Sequence, residues 1–318
     1  MNRLTVTVAA LAAEGAGNLG VRLEPLPGQA LPAFSAGAHI DVFLPGALTR
    51  QYSIASAPSH RDHYELCVKR EPESRGGSRF IHQHLALGAQ LEISAPRNLF
   101  ALQAADHHVL VAAGIGITPL LSMASALKEQ QQSFTLHYYT RTRAEAAYAE
   151  RLETLFTPGQ AQLHHSDQDK SPRRHLPDDL LHPTPNAHLY LCGPAPFMRH
   201  MTERALGLEW APAQIHQEAF APVAAEAVVG DAFEVQVNST GQVVQVPAEQ
   251  SIAQALMAAG VEVPVSCEQG FCGACLTRVL EGTPCHRDSV LSDGEKELND
   301  QMALCCSRSR SGRLVLGI

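Results

Sequence analysis

Short runs of alternating apolar and polar residues dominate the first hundred positions. His39-Ile40-Asp41-Val42-Phe43-Leu44, Gln51-Tyr52-Ser53-Ile54 and Tyr64-Glu65-Leu66-Cys67-Val68 all follow this pattern. The two-residue period is that of a strand, and Gly and Pro bound the runs. The pattern predicts a small antiparallel β-barrel over residues 1–103. From 104 to 222 the rhythm changes. Strand-like runs at 107–113, 134–140, 187–192 and 214–220 alternate with helical stretches at 120–128, 143–156 and 196–206. Alternation of that kind predicts an α/β domain with a parallel sheet covered on both faces. Residues 221–230, rich in Ala, Pro and Val, read as a linker. In 231–318, two alternating runs flank Ser239-Thr240-Gly241, a hairpin signal. A short helix over 251–259 is stopped by Gly260. The expected fold is therefore multidomain: β-barrel, α/β, then a smaller α+β unit.

Composition narrows the functional classes. With 318 residues, 45% hydrophobic and 18% charged, the chain can bury a core and is not disordered. No run approaches a membrane span. The first eight residues alternate like a strand and contain no apolar leader, so a cytoplasmic location is expected. The net charge of -8 falls mainly at the end: residues 226–318 carry twelve acidic and six basic residues. That balance argues against nucleic acid and is suited to steering a basic protein partner.

Six of the eight cysteines lie in the last 52 residues. Such clustering in a long chain reads as metal binding rather than a disulfide framework. Cys267, Cys272 and Cys275, with Cys305 after 29 intervening residues, give C-x4-C-x2-C…C. This is the spacing of plant-type [2Fe–2S] centres. Gly270 and Gly273 let backbone N–H groups turn toward the sulfurs. The rival is structural zinc, for which Cys285-His286 and Cys305-Cys306 would have to supply the second pair. Cys67, Cys285 and Cys306 read as packing cysteines, Cys306 pointing away from the cluster if its segment is extended.

Two elements of the first region suit a flavin. Arg50-Gln51-Tyr52-Ser53 offers a cation, a flat aromatic wall and a small donor. Ser74-Arg75-Gly76-Gly77-Ser78 precedes a helix expected over 79–87, an arrangement that presents N–H groups to a phosphate. Val68 and Lys69, just upstream, join this set. Two further elements suit a dinucleotide. Gly114-Ile115-Gly116-Ile117-Thr118-Pro119 departs from G-x-G-x-x-G only in its last residue, and Pro is tolerated in a first helical turn. Cys192-Gly193-Pro194 and Glu218-Ala219-Phe220 close two later strands, at the edge where ligands of open α/β sheets bind. For NADH against NADPH, Arg141 and Arg143 follow the second strand of this region and Asp167 the third.

Taken in order, these motifs resemble the phthalate dioxygenase reductase family, which includes reductases of the vanillate O-demethylase type. The resemblance spans essentially the whole chain. It implies a flavin domain at 1–103, an NAD domain at 104–222 and a β-grasp ferredoxin domain at 231–318. It implies FMN held by Arg50, Tyr52, Ser53, Arg75, Gly76, Gly77 and Ser78. It implies NADH held by Gly114, Gly116, Thr118, Pro119, Cys192, Gly193, Pro194 and Phe220, with Ser53, Cys192 and Glu218 at the reacting centre. It implies Cys267, Cys272, Cys275 and Cys305 as cluster ligands. The implied activity is electron transfer from NADH through FMN and [2Fe–2S] to a Rieske-type terminal oxygenase, by a chain monomeric on its own. Two alternatives stand beside it: a free-standing reductase of quinones or other metalloproteins, and a redox sensor without turnover.

Overall fold

The computed structural model describes residues 3–46, 48–74, 76–220 and 230–318. The expected linker lies almost wholly outside the described residues. The chain forms two compact units that meet in sequence after Phe220.

The first unit opens with six antiparallel strands: β1 (Arg3–Ala13), β2 (Asn18–Pro25), β3 (His39–Leu44), β4 (Leu48–Ser53), β5 (Tyr64–Lys69) and β6 (Gln90–Ser94). Their order is β4-β3-β6-β1-β2-β5. Just past β4, Ala55 N–H donates to Glu65 O of β5 at 2.8 Å, which nearly closes the barrel. Alternate residues point inward, so Val6, Val8, Val21, Leu23, Ile40, Val42, Leu66 and Ile93 form its core. Helix α1 (Gly77–His84) buries Ile81 in that core. It starts two residues before the predicted 79–87. Gly76, at φ 93°, reverses the chain so sharply that the helix opens within the glycine loop itself.

The second layer has five parallel strands: β7 (His107–Ala113), β8 (Phe134–Thr140), β9 (Ala161–His165), β10 (Ala187–Gly193) and β11 (Ile215–Ala219). The order is β11-β10-β7-β8-β9, so its direction reverses between β7 and β10. Helix α2 (Ile117–Glu129) buries its residues 117–127. Helices α3 (Ala149–Leu155), α4 (Asp178–Leu181) and α5 (Ala195–Gly207) complete the layer. The helix predicted over 143–156 is broken. A 3-10 turn at Arg143–Glu145 is separated from α3 by Tyr148, at φ 58°. Burial of the Tyr148 ring, with Ala147 N–H bound to the Tyr138 hydroxyl, overrides the helical pattern.

Histidines line both faces of this sheet. His137 Nδ1 and His164 Nε2 are 3.2 Å apart, and His188 Nδ1 lies 2.7 Å from His216 Nε2. Burial holds His164 down to about 3 and His216 to about 4, in each case reinforced by neighbouring histidines. The unfolded chain therefore binds protons that the folded chain refuses once pH drops below about 6.5. The contribution of these histidines is full above that value and falls toward pH 4, each such group costing about 1.4 kcal/mol per pH unit in the window. Asp179, lowered to about 2 chiefly by its hydrogen bond to His137, loses its own contribution only further down, below its ordinary 3.8. Trp210, the single tryptophan, is buried against the same layer. Its fluorescence in urea should give midpoints that fall between about pH 6.5 and 5; a constant midpoint over that range would contradict this account.

The second unit carries β12 (Phe233–Val237), β13 (Val243–Val246), α6 (Ile252–Ala258), β14 (Leu276–Glu281), β15 (Pro284–Cys285), α7 (Asp293–Leu298), β16 (Gln301–Ala303), β17 (Arg308–Ser309) and β18 (Arg313–Leu316). Its main sheet runs β13-β12-β18-β14-β16, with β12 and β18 parallel. Ser251 and Gln254 cap α6 reciprocally. The loop before β14 and the turn after β16 carry the cysteines.

Candidate functional site

The flavin elements meet at the end of β4. A Cβ on Gly77 would lie 2.4 Å from Arg50 Cγ, so the arginine stem lies directly across the loop that opens α1. A guanidinium and a helix N-terminus thus converge on one place, a fit for phosphate. Ser78 Oγ donates to Ser74 Oγ at 3.0 Å and accepts Glu71 N–H at 3.2 Å, which fixes the loop. Arg75 lies outside the described residues. Tyr52 is partly buried against the barrel core, and burial raises its hydroxyl pKa. Val68 is buried, and its carbonyl lies 2.8 Å from His82 Nε2. Lys69 is exposed, 3.4 Å from Glu71.

Ser53, the last residue of β4, reaches across to β11. Its Oγ donates to Glu218 Oε2 at 3.2 Å. Glu218 is the register partner of Cys192 on the adjoining strand β10. Burial pushes Glu218 up to about 8 despite that hydrogen bond. Cys192 is fully buried, and burial, followed by the Glu218 carboxyl, raises its thiol well above the ordinary value. This sulfur is a neutral contact surface and not a thiolate nucleophile. The three residues expected at the reacting centre are therefore brought together.

The nucleotide elements flank the reversal of strand order. The 3-10 turn Gly114–Gly116 follows β7, while Cys192-Gly193 ends the adjacent β10 and Pro194 caps α5. A Cβ on Gly116 would sit 2.2 Å from Cys192 O. The two loops pass in backbone contact at the reversal of strand order, the place where open α/β sheets bind their ligands. Thr118 Oγ1 donates to Ile115 O at 3.1 Å, so its hydroxyl braces the turn from inside. Pro119 is buried in the first turn of α2, and Phe220 packs against the sheet core just beyond β11. Asp167 N–H donates to Arg141 O at 3.1 Å, while Arg143 is paired with Glu153.

In the second unit the Cys267 sulfur interacts with those of Cys272 and Cys305, and Cys305 also with Cys275. Gln269 N–H points at Cys267 Sγ (3.3 Å); Cys267 N–H and Ala274 N–H point at Cys272 Sγ (both 3.5 Å). These donors favour sulfur that carries charge, as iron-bound thiolate does. Gly270 is at φ 77°, and a Cβ there would meet Cys306 Sγ at 2.4 Å. Cys305 and Cys306 do not lie on an extended segment: they form a turn in which Ser307 N–H donates to Ala303 O at 3.1 Å. Cys306 consequently packs under the loop instead of facing away from it. The reason is local. The chain must reverse between β16 and β17 while presenting Cys305. Sequence reasoning also missed Asp288, whose carboxylate accepts Leu291 N–H and the Ser307 hydroxyl; the next residue, Ser289, donates its N–H to Gly270 O of the cluster loop at 2.9 Å.

Residues 235–310 match the family model of the 2Fe–2S iron-sulfur cluster binding domain, which decides against zinc. Residues 95–215 match the N-terminal domain model of dimethylamine monooxygenase subunit DmmA-like proteins. The chain is 44% identical over 292 residues to the vanillate O-demethylase oxidoreductase of Pseudomonas sp. (strain HR199 / DSM 7063), covering 92% of each. It is 39% identical to the haem-dependent oxidative N-demethylase beta subunit of Ectopseudomonas mendocina (strain ymp), covering 91% of this chain and 90% of that one. Among solved structures it resembles phthalate dioxygenase reductase, with 33% identity and a TM-score of 0.73 over 100% of this chain and 98% of that one. The chain belongs to the phthalate dioxygenase reductase family, as an NADH-dependent flavin and [2Fe–2S] oxidoreductase that forms the reductase component of an oxygenase system.

Proposed function

We propose that the terminal acceptor is a Rieske-type oxygenase and that the chain's labour divides at 1–103 for FMN, 104–222 for NADH and 231–318 for the cluster. The observation that carries the reading is the line from Ser53 through Glu218 to Cys192, where the flavin strand meets the open edge of the nucleotide sheet. FMN, when bound, supplies the conversion of a two-electron hydride donor into single electrons. The chain's own residues do the rest.

Arg50, with the N–H groups of Gly76, Gly77 and Ser78, holds the phosphate; Arg75 lends a second cation. Tyr52 walls the ring, with Val68 and Lys69 bordering it. The turns at Gly114–Gly116 and Cys192–Pro194 hold NADH, with Thr118, Pro119 and Phe220 shaping the crevice. Cys192 presents a neutral sulfur to the nicotinamide, and Glu218 and Ser53 hold a proton and a hydroxyl at its reacting edge. Cys267, Cys272, Cys275 and Cys305 hold the cluster. Positioning accounts for most of this contribution, since hydride transfer needs stacking and distance more than acid or base. The reading of cytoplasmic location belongs to the same proposal; among the described residues no helix is long and apolar enough to cross a membrane.

Anaerobic NADH titration of the purified protein tests the relay. Acid extraction should release FMN, and NADH should bleach both flavin and cluster absorption. Mixing the reduced protein with a purified Rieske oxygenase should reoxidise it within turnover time. Reoxidation by a haem oxygenase alone would favour a second reading, in which the acceptor is a haem oxygenase; the haem-dependent relative supports it. A reconstituted protein that NADH leaves oxidised would overturn both.

A further inference from the structure

His39, on β3, is the register partner of Ser53 across the sheet. Its side chain is almost wholly buried, and Nδ1 lies 3.9 Å from Glu218 Oε1, the oxygen that Ser53 does not use. Its Nε2 has no hydrogen-bond partner among the described residues. Behind it, Arg97 is paired with buried Asp41 at 2.8 Å, and the backbones of His39 and Arg97 exchange two hydrogen bonds. The charged or titratable groups facing the imidazole are thus Glu218 from β11, Asp41 from its own strand and Arg97 from the segment after β6.

We propose that His39 is a positioning residue for hydride transfer, its Nδ1–H donating to Glu218 Oε1 so that the carboxyl is held between imidazole and Ser53. The inference rests on the functional reading above. Its logic is electrostatic. A charged imidazole here would pin Glu218 as carboxylate beside the nicotinamide. Burial, reinforced by Arg97, holds His39 down to about 4, so it stays a neutral donor at working pH. The 3.9 Å gap matches the looseness of such contacts before substrate closes the site.

His39→Phe removes the donor, while His39→Asn keeps an N–H near the place of Nδ1 and His39→Gln moves it toward that of Nε2. The midpoint of the Glu218 carboxyl, read by pH-difference infrared spectroscopy and assigned by its absence in Glu218→Gln, should rise by about one pH unit in His39→Phe. His39→Asn should restore it and His39→Gln should not. Flavin reduction at saturating NADH should slow roughly tenfold at neutral pH in His39→Phe, with half-saturation unchanged. If His39→Phe fails to fold, the Asn and Gln variants carry the comparison. An unshifted Glu218 midpoint in His39→Phe, or in the Gln variant alone, would overturn the proposal. The infrared titration is independent of turnover. A wild-type protein that NADH does not reduce would therefore overturn the functional reading and leave this result to be judged separately.

Discussion

Cys272→Ser is expected to stop electron flow to a protein acceptor while leaving NADH oxidation by a flavin-reactive dye nearly untouched. Cys272 accepts two backbone N–H contacts, from Cys267 and Ala274, and sits beside the Cys267 sulfur. A serine hydroxyl is a poor iron ligand at neutral pH and a harder one than thiolate, so the cluster is lost or shifted in potential. The flavin and nucleotide elements all lie in the other compact unit, which ends at Phe220. Reduction of cytochrome c by NADH should drop by at least ~100-fold, more than the 10–100-fold typical of outer-shell changes at metal sites. Dye turnover should stay within about twofold, the range left when an independent unit is untouched. A folded, flavin-loaded variant that lost its dye activity would sink this division of labour, as would one that still reduced cytochrome c at full rate.

The contrast between the units explains how much of the protein was legible before folding. The 2Fe–2S domain was readable because three of the proposed ligands share one loop and their spacing is one a small inorganic core dictates. The parallel sheet was readable because β7 and β10 carry nearly continuous apolar runs. What escaped depends on contacts distant in sequence. Tyr148 breaks a helix because its ring is buried in a core assembled from other strands. Cys306 turns under the loop because Gly270, far upstream, leaves room for its sulfur. His39 falls on the face of its alternating strand opposite to Ile40 and Val42, and only the docking of β11 beside β4 reveals Glu218 facing it. Periodicity reports which face a side chain takes. It is silent on which remote residue shares that face.

The two glycines of the nucleotide turn are alike in motif and opposite in mechanism, and substitution should separate them. Gly114 has φ 54° and, among the described residues, nothing within 4 Å of where a Cβ would be. Gly114→Ala therefore meets backbone strain alone, about 1 kcal/mol, in a region where alanine is disfavoured but not blocked. Gly116 has φ −61°, ordinary for any residue. Its Cβ, however, would sit 2.2 Å from the Cys192 carbonyl oxygen, 2.4 Å from the carbonyl carbon and 2.8 Å from Gly193 N. All three are backbone atoms at the end of β10, and none can rotate away. The ends of β7 and β10 must separate, at a cost of about 3 kcal/mol or more, the upper part of the overpacking range. The same displacement moves Cys192 and, through the strand pairing, Glu218. Because a misplacement of about 1 Å can cost ~100-fold in rate, flavin reduction by NADH in Gly116→Ala should fall by that factor or more. Chemical reduction by dithionite, followed by cytochrome c, should still pass electrons through the intact second unit. Stopped-flow mixing of each variant with NADH, alongside urea midpoints from Trp210 fluorescence, makes the comparison. Equal losses in Gly114→Ala and Gly116→Ala would mean that the turn acts through glycine flexibility, and that the backbone contact with Cys192 does not organise the site.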